Sequence, residues 1–269
     1  MFFSRRQWFL LIHQGKQPVG DWRQFQKLTP PKDRFWADPF VIYHNGAHYV
    51  FIEEYIYSHK KGHIACFLVG EDGQAGEPVK ILERPYHLSY PFLFEWEGSV
   101  YLLPETASNK TIEVYRCVRF PFEWELCSTL MKDIVAVDTT LFFHNNKWWL
   151  FTNVKEHARA STWDKLFLYH ADHPLSAHWQ PHPQNPVVAD AGRARPAGKI
   201  FEHNGEIYRP AQDCSRRYGA AVVFNKITKL DEKEYREETA QSLPLGLQGR
   251  IAGSHTFNYT HGLTVLDGR

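Results

Sequence analysis

One pattern is written five times along this chain, and it constrains the fold more than any other feature. Each copy opens on a polar residue or a proline-containing start, runs through an apolar stretch, turns at His, Asn or Gly, and returns through an aromatic-rich stretch. The copies read DPFVIYHNGAHYVF from Asp38, YPFLFEWEGSVYLL from Tyr90, DTTLFFHNNKWWLF from Asp138, PAGKIFEHNGEIYR from Pro196 and a degenerate HTFNYTHGLTVLDG from His255. Their starts lie 52, 48, 58 and 59 positions apart. A unit this small cannot bury its apolar face alone, so the copies must pack on one another.

The turns Asn45-Gly46, Glu97-Gly98, Asn145-Asn146 and Asn204-Gly205 mark hairpins, because Asn and Gly tolerate the positive φ that tight turns demand. A third apolar stretch follows each hairpin (63 to 69, 111 to 118, 166 to 171, 220 to 224), and a fourth follows the first two (79 to 82, 124 to 130). Four antiparallel strands per repeat make a propeller blade. The last copy stops after two strands, while residues 7 to 13 and 22 to 28 supply two unpaired ones ahead of the first repeat. The expected fold is all-β, a five-bladed β-propeller over residues 1–269 as a single domain. Its fifth blade is shared by residues 1–30 and 250–269, which removes the open sheet edges at the chain ends.

Composition agrees with one such domain: 43% of the 269 residues are hydrophobic and 15% aromatic. Thirty-one Lys and Arg against 30 Asp and Glu leave no basic face, which argues against nucleic acid and anionic membranes. The apolar run Trp8 to Ile12 is too short to span a membrane, so no membrane span is expected. Cys66, Cys117, Cys127 and Cys214 show no CxxC spacing and read as reduced thiols of a cytoplasmic protein. Phosphate-binding glycine motifs and a GxSxG elbow are missing. The charge-dense segment 231 to 238 reads as a solvated edge of blade four.

If the first strand of each blade is innermost, the residues Asp38, Tyr90, Asp138, Pro196 and His255 surround one opening. The returning strands end there too, on Glu53-Glu54, Glu105, Asn153 and Gln212-Asp213, and the approach to the fourth copy adds Arg193 and Arg195, with Arg209 further along. Crowded carboxyl groups beside arginines push one another's pKa values apart, as acid/base chemistry requires. Trp36 and Tyr90 offer faces on which a sugar ring could stack. The arginines could instead grip a carboxylate or phosphate through their planar forks.

FWADPF at 35 to 40, followed by its hairpin, resembles the first-blade signature of family-43 glycoside hydrolases. A closer resemblance covers nearly the whole chain through HLSYPF, YLLPETA, VDTTLF, WWLF, RPAG, YRPAQDC and HTFN. Together these are similar to the family-43-like propeller found N-terminal in glucosamine inositolphosphorylceramide transferases and in bacterial proteins. The resemblance implies that Asp38 is a general base and Asp138 the aspartate that tunes the acid. The family's acid, a fourth-blade Glu, is replaced here by GRARPAG, which leaves Glu105 or Asp213 as candidates. The resemblance also implies a Ca²⁺ near His255, although no cofactor is required and no zinc spacing is present.

Two functions follow as expectations. The first is an enzyme of glycoside hydrolase type, a glycosidase or transglycosylase, with Asp38, Asp138 and Glu105 catalytic. Trp36, Glu54, Tyr90, Arg193, Arg195, Arg209, Gln212, Asp213 and His255 would then bind substrate. The second is a non-catalytic sugar-binding module that works beside a glycosyltransferase or in glycolipid assembly. In either case the partner is a carbohydrate or glycoconjugate and the protein is a monomer.

Overall fold

The computed structural model describes residues 7–18, 22–240 and 251–269. Four sheets are continuous in sequence and the fifth is composite. Blade one comprises Arg34–His44, Ala47–Ile56, Lys61–Val69 and Val79–Leu82. Blade two comprises Ser89–Trp96, Ser99–Thr106, Thr111–Arg119 and Glu123–Lys132. Blade three runs Ala136–His144, Lys147–Val154, Lys165–Ala171 and Gln180–Pro181, with Val188–Ala189 also paired to its third strand. Blade four runs Phe201–His203, Glu206–Asp213, Ala221–Leu230 and Tyr235–Thr239, so part of the charged segment at 231 to 238 is its outer strand. In blade five, Phe257–Thr260 and Leu263–Gly268 are followed outward by Phe9–Gln14 and Gln26–Leu28. The stretch expected as a strand over 22 to 28 is one only at Gln26–Leu28, because Trp22–Gln24 form a 3₁₀ turn. Residues 1–6, 19–21 and 250, part of the expected boundaries of blade five, lie outside the described residues. No helix among the described residues is long and apolar enough to cross a membrane.

Apolar side chains lock the blades in a circle. One cluster joins blades one, two and three through residues such as Phe51, Tyr90, Leu103 and Leu141. Others join blade three to four around Trp149 and Phe151, four to five around Phe224 and Phe257, and five to one around Leu10 and Val41. Each of these buried side chains contributes about 1.5–3 kcal/mol relative to exposure.

The inner strands share a local distortion that positions the site. Between Ala37 and Phe40, Ser89 and Phe92, and Val137 and Thr140 the pairing slips by a residue. In each bulge one residue is left-handed: Asp38 at φ 50°, Tyr90 at φ 44° and Asp138 at φ 51°. Such conformations cost about 1–3 kcal/mol for a side-chain-bearing residue and persist where surrounding structure holds them. Blade four differs from the repeat alignment. Pro196 makes only an isolated bridge to Ala211, regular pairing starts at Phe201, and the residue with positive φ is Gly198 at 134°. A Cβ at Gly198 would stand 1.9 Å from the Phe257 carbonyl oxygen. Gly198→Ala should therefore lower stability by about 3 kcal/mol or more, read as the urea unfolding midpoint.

Candidate functional site

The left-handed residues at the head of the blades are tied to one another across the axis. Asp38 Oδ1 accepts from Thr256 Oγ1 at 2.6 Å, and Oδ2 accepts from the Tyr90 N–H at 3.1 Å, which links blades five, one and two. The Tyr90 hydroxyl lies 2.8 Å from Thr140 Oγ1 and accepts from the Gly198 N–H at 2.7 Å, which carries the linkage to blades three and four. Asn258 closes the circle by donating to the Pro39 carbonyl at 2.8 Å and accepting from the Lys199 N–H at 2.8 Å.

Two charged groups grow out of this ring. In the first, Asp267 is completely buried and accepts from the backbone N–H groups of His255 at 2.7 Å, Thr256 at 3.1 Å and Asp38 at 3.2 Å. His255 Nδ1 is in very short contact with Asp267 and stands 3.7 Å from Asp38 Oδ1. Burial opposes a charge on this imidazole, but Asp267 and Asp38 outweigh it and raise its pKa. Burial pushes Asp38 up to about 6, with the charges of Asp138 and Asp267 adding and His255 and Thr256 opposing.

In the second group, Asp138 Oδ2 accepts from Arg195 Nε at 2.6 Å and from Gln212 Nε2 at 2.7 Å. Arg195 also reaches Thr162, stands 3.9 Å from Glu105 Oε2 and lies 5.0 Å over the Tyr218 ring. Burial raises Glu105 to about 8; the Asp138 charge adds to this and Arg195 partly offsets it. Glu53 is pushed well above the carboxylate range, first by burial and then by Asp38 and Glu105. Burial thus raises Asp38, Glu53 and Glu105 to different extents, and carboxyls pushed apart in this way are what acid/base work requires.

Of the residues expected from sequence, Asp38, Glu105, Asp138, Arg195, Gln212 and His255 come together here. Others are placed elsewhere. Arg209 spends its donors on Glu237 (2.8 and 2.7 Å) and on the carbonyls of Arg193 and Ala194, inside blade four. Arg193 pairs with Asp190 at 3.2 Å, and Asp213 caps a turn through Ser215. Glu54 accepts from Trp36 Nε1 at 2.9 Å and Arg34 at 3.2 Å and lies 3.0 Å from His63 Nε2. Burial opposes ionisation of Glu54, yet His63, Trp36 and Arg34 together bring its pKa down to about 2. Trp36 is thereby consumed in blade one, and Tyr90 is wholly buried as an axial hydrogen-bonding post, so neither presents a stacking face.

A different aromatic row borders the charged groups. Trp8 stacks on His255 at 4.2 Å, Tyr218 meets His255 edge-on at 5.4 Å, and the 39%-exposed Trp163 lies 6.2 Å from Tyr218. Sequence reasoning missed Tyr218, Thr256 and Asp267. The signal for Asp267 was a carboxylate set in the apolar run LTVLDG.

The expected calcium can be tested on the donors present. Asp38, His255 and Asp267 place one ligand atom each within 4.8 Å of one another. Ca²⁺ takes about six to eight oxygen ligands. Here one donor is a nitrogen, and both Asp267 oxygens are engaged by N–H groups. A donor set of one imidazole nitrogen and carboxylate oxygens already engaged by N–H groups does not fit calcium.

Residues 12–265 match the family model described as "Glucosamine inositolphosphorylceramide transferase 1, N-terminal". The glucosamine inositolphosphorylceramide transferase 1 of Oryza sativa subsp. japonica is 33% identical over 227 residues, 83% of this chain and 30% of that protein. The chain therefore spans about a third of the length of the curated relatives it matches. Among solved structures, the catalytic domain of a Coprinopsis cinerea family-62 α-L-arabinofuranosidase aligns over 97% of both chains, with TM-score 0.63 and 12% identity. A family-117 glycoside hydrolase of Zobellia galactanivorans aligns over 87% of this chain and 75% of its own, with TM-score 0.59 and 13% identity. These likenesses establish the five-bladed propeller fold, and the family match goes further: the chain belongs to the family of the N-terminal region of glucosamine inositolphosphorylceramide transferase 1.

Proposed function

We propose that this protein is carbohydrate-active and that its central site handles a glycosidic bond, by cleavage or by transfer. The observation that carries the reading is the gathering of Asp38, Glu105 and Asp138 with Arg195 in one buried cluster, where burial raises Glu105 to about 8 and Asp38 only to about 6. At neutral pH Glu105 keeps a proton to give to a departing glycosidic oxygen. Asp38, ionised, takes one from the attacking water or acceptor hydroxyl, so the proton account closes over one turnover. Asp138, gripped by Arg195 and Gln212, acts on Glu105 through its charge. The glycoside hydrolase titles of the structural neighbours agree with this reading in reaction type.

Rate against pH should then follow a bell with limbs near 6 and 8, since activity needs Asp38 without its proton and Glu105 with it. A panel of 4-nitrophenyl glycosides and oligosaccharides, including α-L-arabinofuranosides and glucosaminides, followed by product analysis, tests both claims. A second reading has its own support. Both Asp38 oxygens are already hydrogen-bonded, and Arg195 comes from the blade where the family-43 acid would sit. On that reading the same site holds a sugar, without cleaving it, for the glycosyltransferase machinery named in the relatives. Binding without product in the same panel would select it.

A further inference from the structure

We infer that Asn153 is a ligand-contacting residue of the central site and that the group it receives presents a hydrogen-bond donor and an acceptor side by side. The inference rests on the carbohydrate reading above for its ligand class. Blades one and two set the precedent. Their second strands deliver Glu53 opposite Ala37 and Glu105 opposite Ser89, each pair one residue before a left-handed post, Asp38 or Tyr90. Both glutamates lie within the field of the central carboxylates. Blade three repeats the geometry, with Asn153 opposite Val137, one residue before left-handed Asp138.

Asn153 is 1% exposed, and neither its Oδ1 nor its Nδ2 has a hydrogen-bond partner in the protein. The other buried side chains with an idle atom (Trp148, Trp179 and Asn225) each leave only one, and His63 Nε2 has Glu54 at 3.0 Å, so among the described residues Asn153 stands apart with its whole amide unused. Strand alternation puts it on the face of Phe151 and Trp149, which packs against Ala194 of blade four, beside the point where Arg195 enters to reach Asp138. Leaving such an amide buried and idle costs stability, and a structural role would have matched it with partners.

The idle pair also specifies its ligand. A carboxamide offers an acceptor oxygen and two N–H donors. A carboxylate or phosphate oxygen would use only the donors, and an ammonium only the oxygen. Two neighbouring hydroxyls of a sugar ring use both.

Asn153→Leu replaces the amide with an apolar group of similar volume. The ligand-free protein should melt about 2–5 °C higher, because the idle amide is gone. Titration of L-arabinose, followed by tryptophan fluorescence, should show at least a tenfold loss of affinity in the Leu variant, and also in Asn153→Ala, whose smaller side chain cannot block the site by bulk. A Leu variant that melts at or below the wild-type temperature, or fails to fold, overturns the inference, as does undiminished binding by both variants. If wild type itself ignores L-arabinose, the pentose form of the carbohydrate reading fails while the melting comparison still decides the role of Asn153.

Discussion

Asp38→Asn should lower turnover by about 10²- to 10⁴-fold, the usual weight of a positioned proton acceptor, while the protein stays folded and keeps its affinity for sugar. The fold survives because the amide fits the same partners: its oxygen can face the Tyr90 N–H and its NH₂ the Thr256 hydroxyl, which replaces the present O–H to carboxylate bond. Stability should even gain from the change at high pH. The folded pKa of Asp38, about 6, lies above the usual aspartate value, so the native state holds this proton more tightly than the unfolded chain. Its contribution is therefore fully present below the unfolded value and is lost as pH rises through the window up to about 6. Deleting the ionisation removes a penalty of up to about 3 kcal/mol at pH 8, against which the loss of a counter-charge for His255 must be set. Denaturant unfolding of both proteins at pH 5 and pH 8 checks this: the variant should gain relative to wild type at the higher pH. A variant with wild-type turnover would remove Asp38 from the chemistry.

The second large effect falls on a residue that looks functional in the sequence. Arg209→Ala should destabilise the protein by about 3 kcal/mol, because buried Glu237 would lose its two close hydrogen bonds and keep only the half-exposed Arg193, 3.9 Å away, as a counter-charge. The side chains of the pair are 1% and 2% exposed, and Tyr235 also bonds to Glu237. At temperatures where the variant is still folded, its sugar affinity should match wild type, because Arg209 points into blade four and away from the Asp138 cluster. Urea unfolding paired with a binding titration separates the two outcomes; lost affinity at unchanged stability would assign Arg209 to the ligand instead.

The repeat made much of this architecture readable. Hairpin turns and five apolar copies place the blades, and the two unpaired N-terminal segments foretell the composite sheet of Phe9–Gln14 and Leu263–Gly268. Asp38, Tyr90 and Asp138 head the first three copies and prove to be the left-handed posts. Blade four resisted because its inner strand is short and Gly198, not the aligned Pro196, takes the special backbone conformation. The choice between Glu53 and Glu54 was closed to sequence reasoning for a related reason. Side chains alternate along a strand, and the slipped pairing between Ala37 and Phe40 hides which of two adjacent glutamates faces inward. Arg195 and Arg209 look alike as residues, and only their partners, Asp138 and Glu237, tell a site group from a core ion pair. Tyr218 sits in the loop between Asp213 and Ala221, where no periodicity marks a direction.

The unequal protonation of Asp38 and Glu105 is the claim on which the functional account stands, and it can be measured without knowing the substrate. Side-chain carboxyl carbons labelled with ¹³C can be followed through a pH titration by NMR, with Asp38→Asn and Glu105→Gln used to assign the two signals. The account predicts one carboxyl titrating near 6, lost in the first variant, and one near 8, lost in the second. Both groups titrating below about 5, the range of ordinary exposed carboxylates, would contradict it.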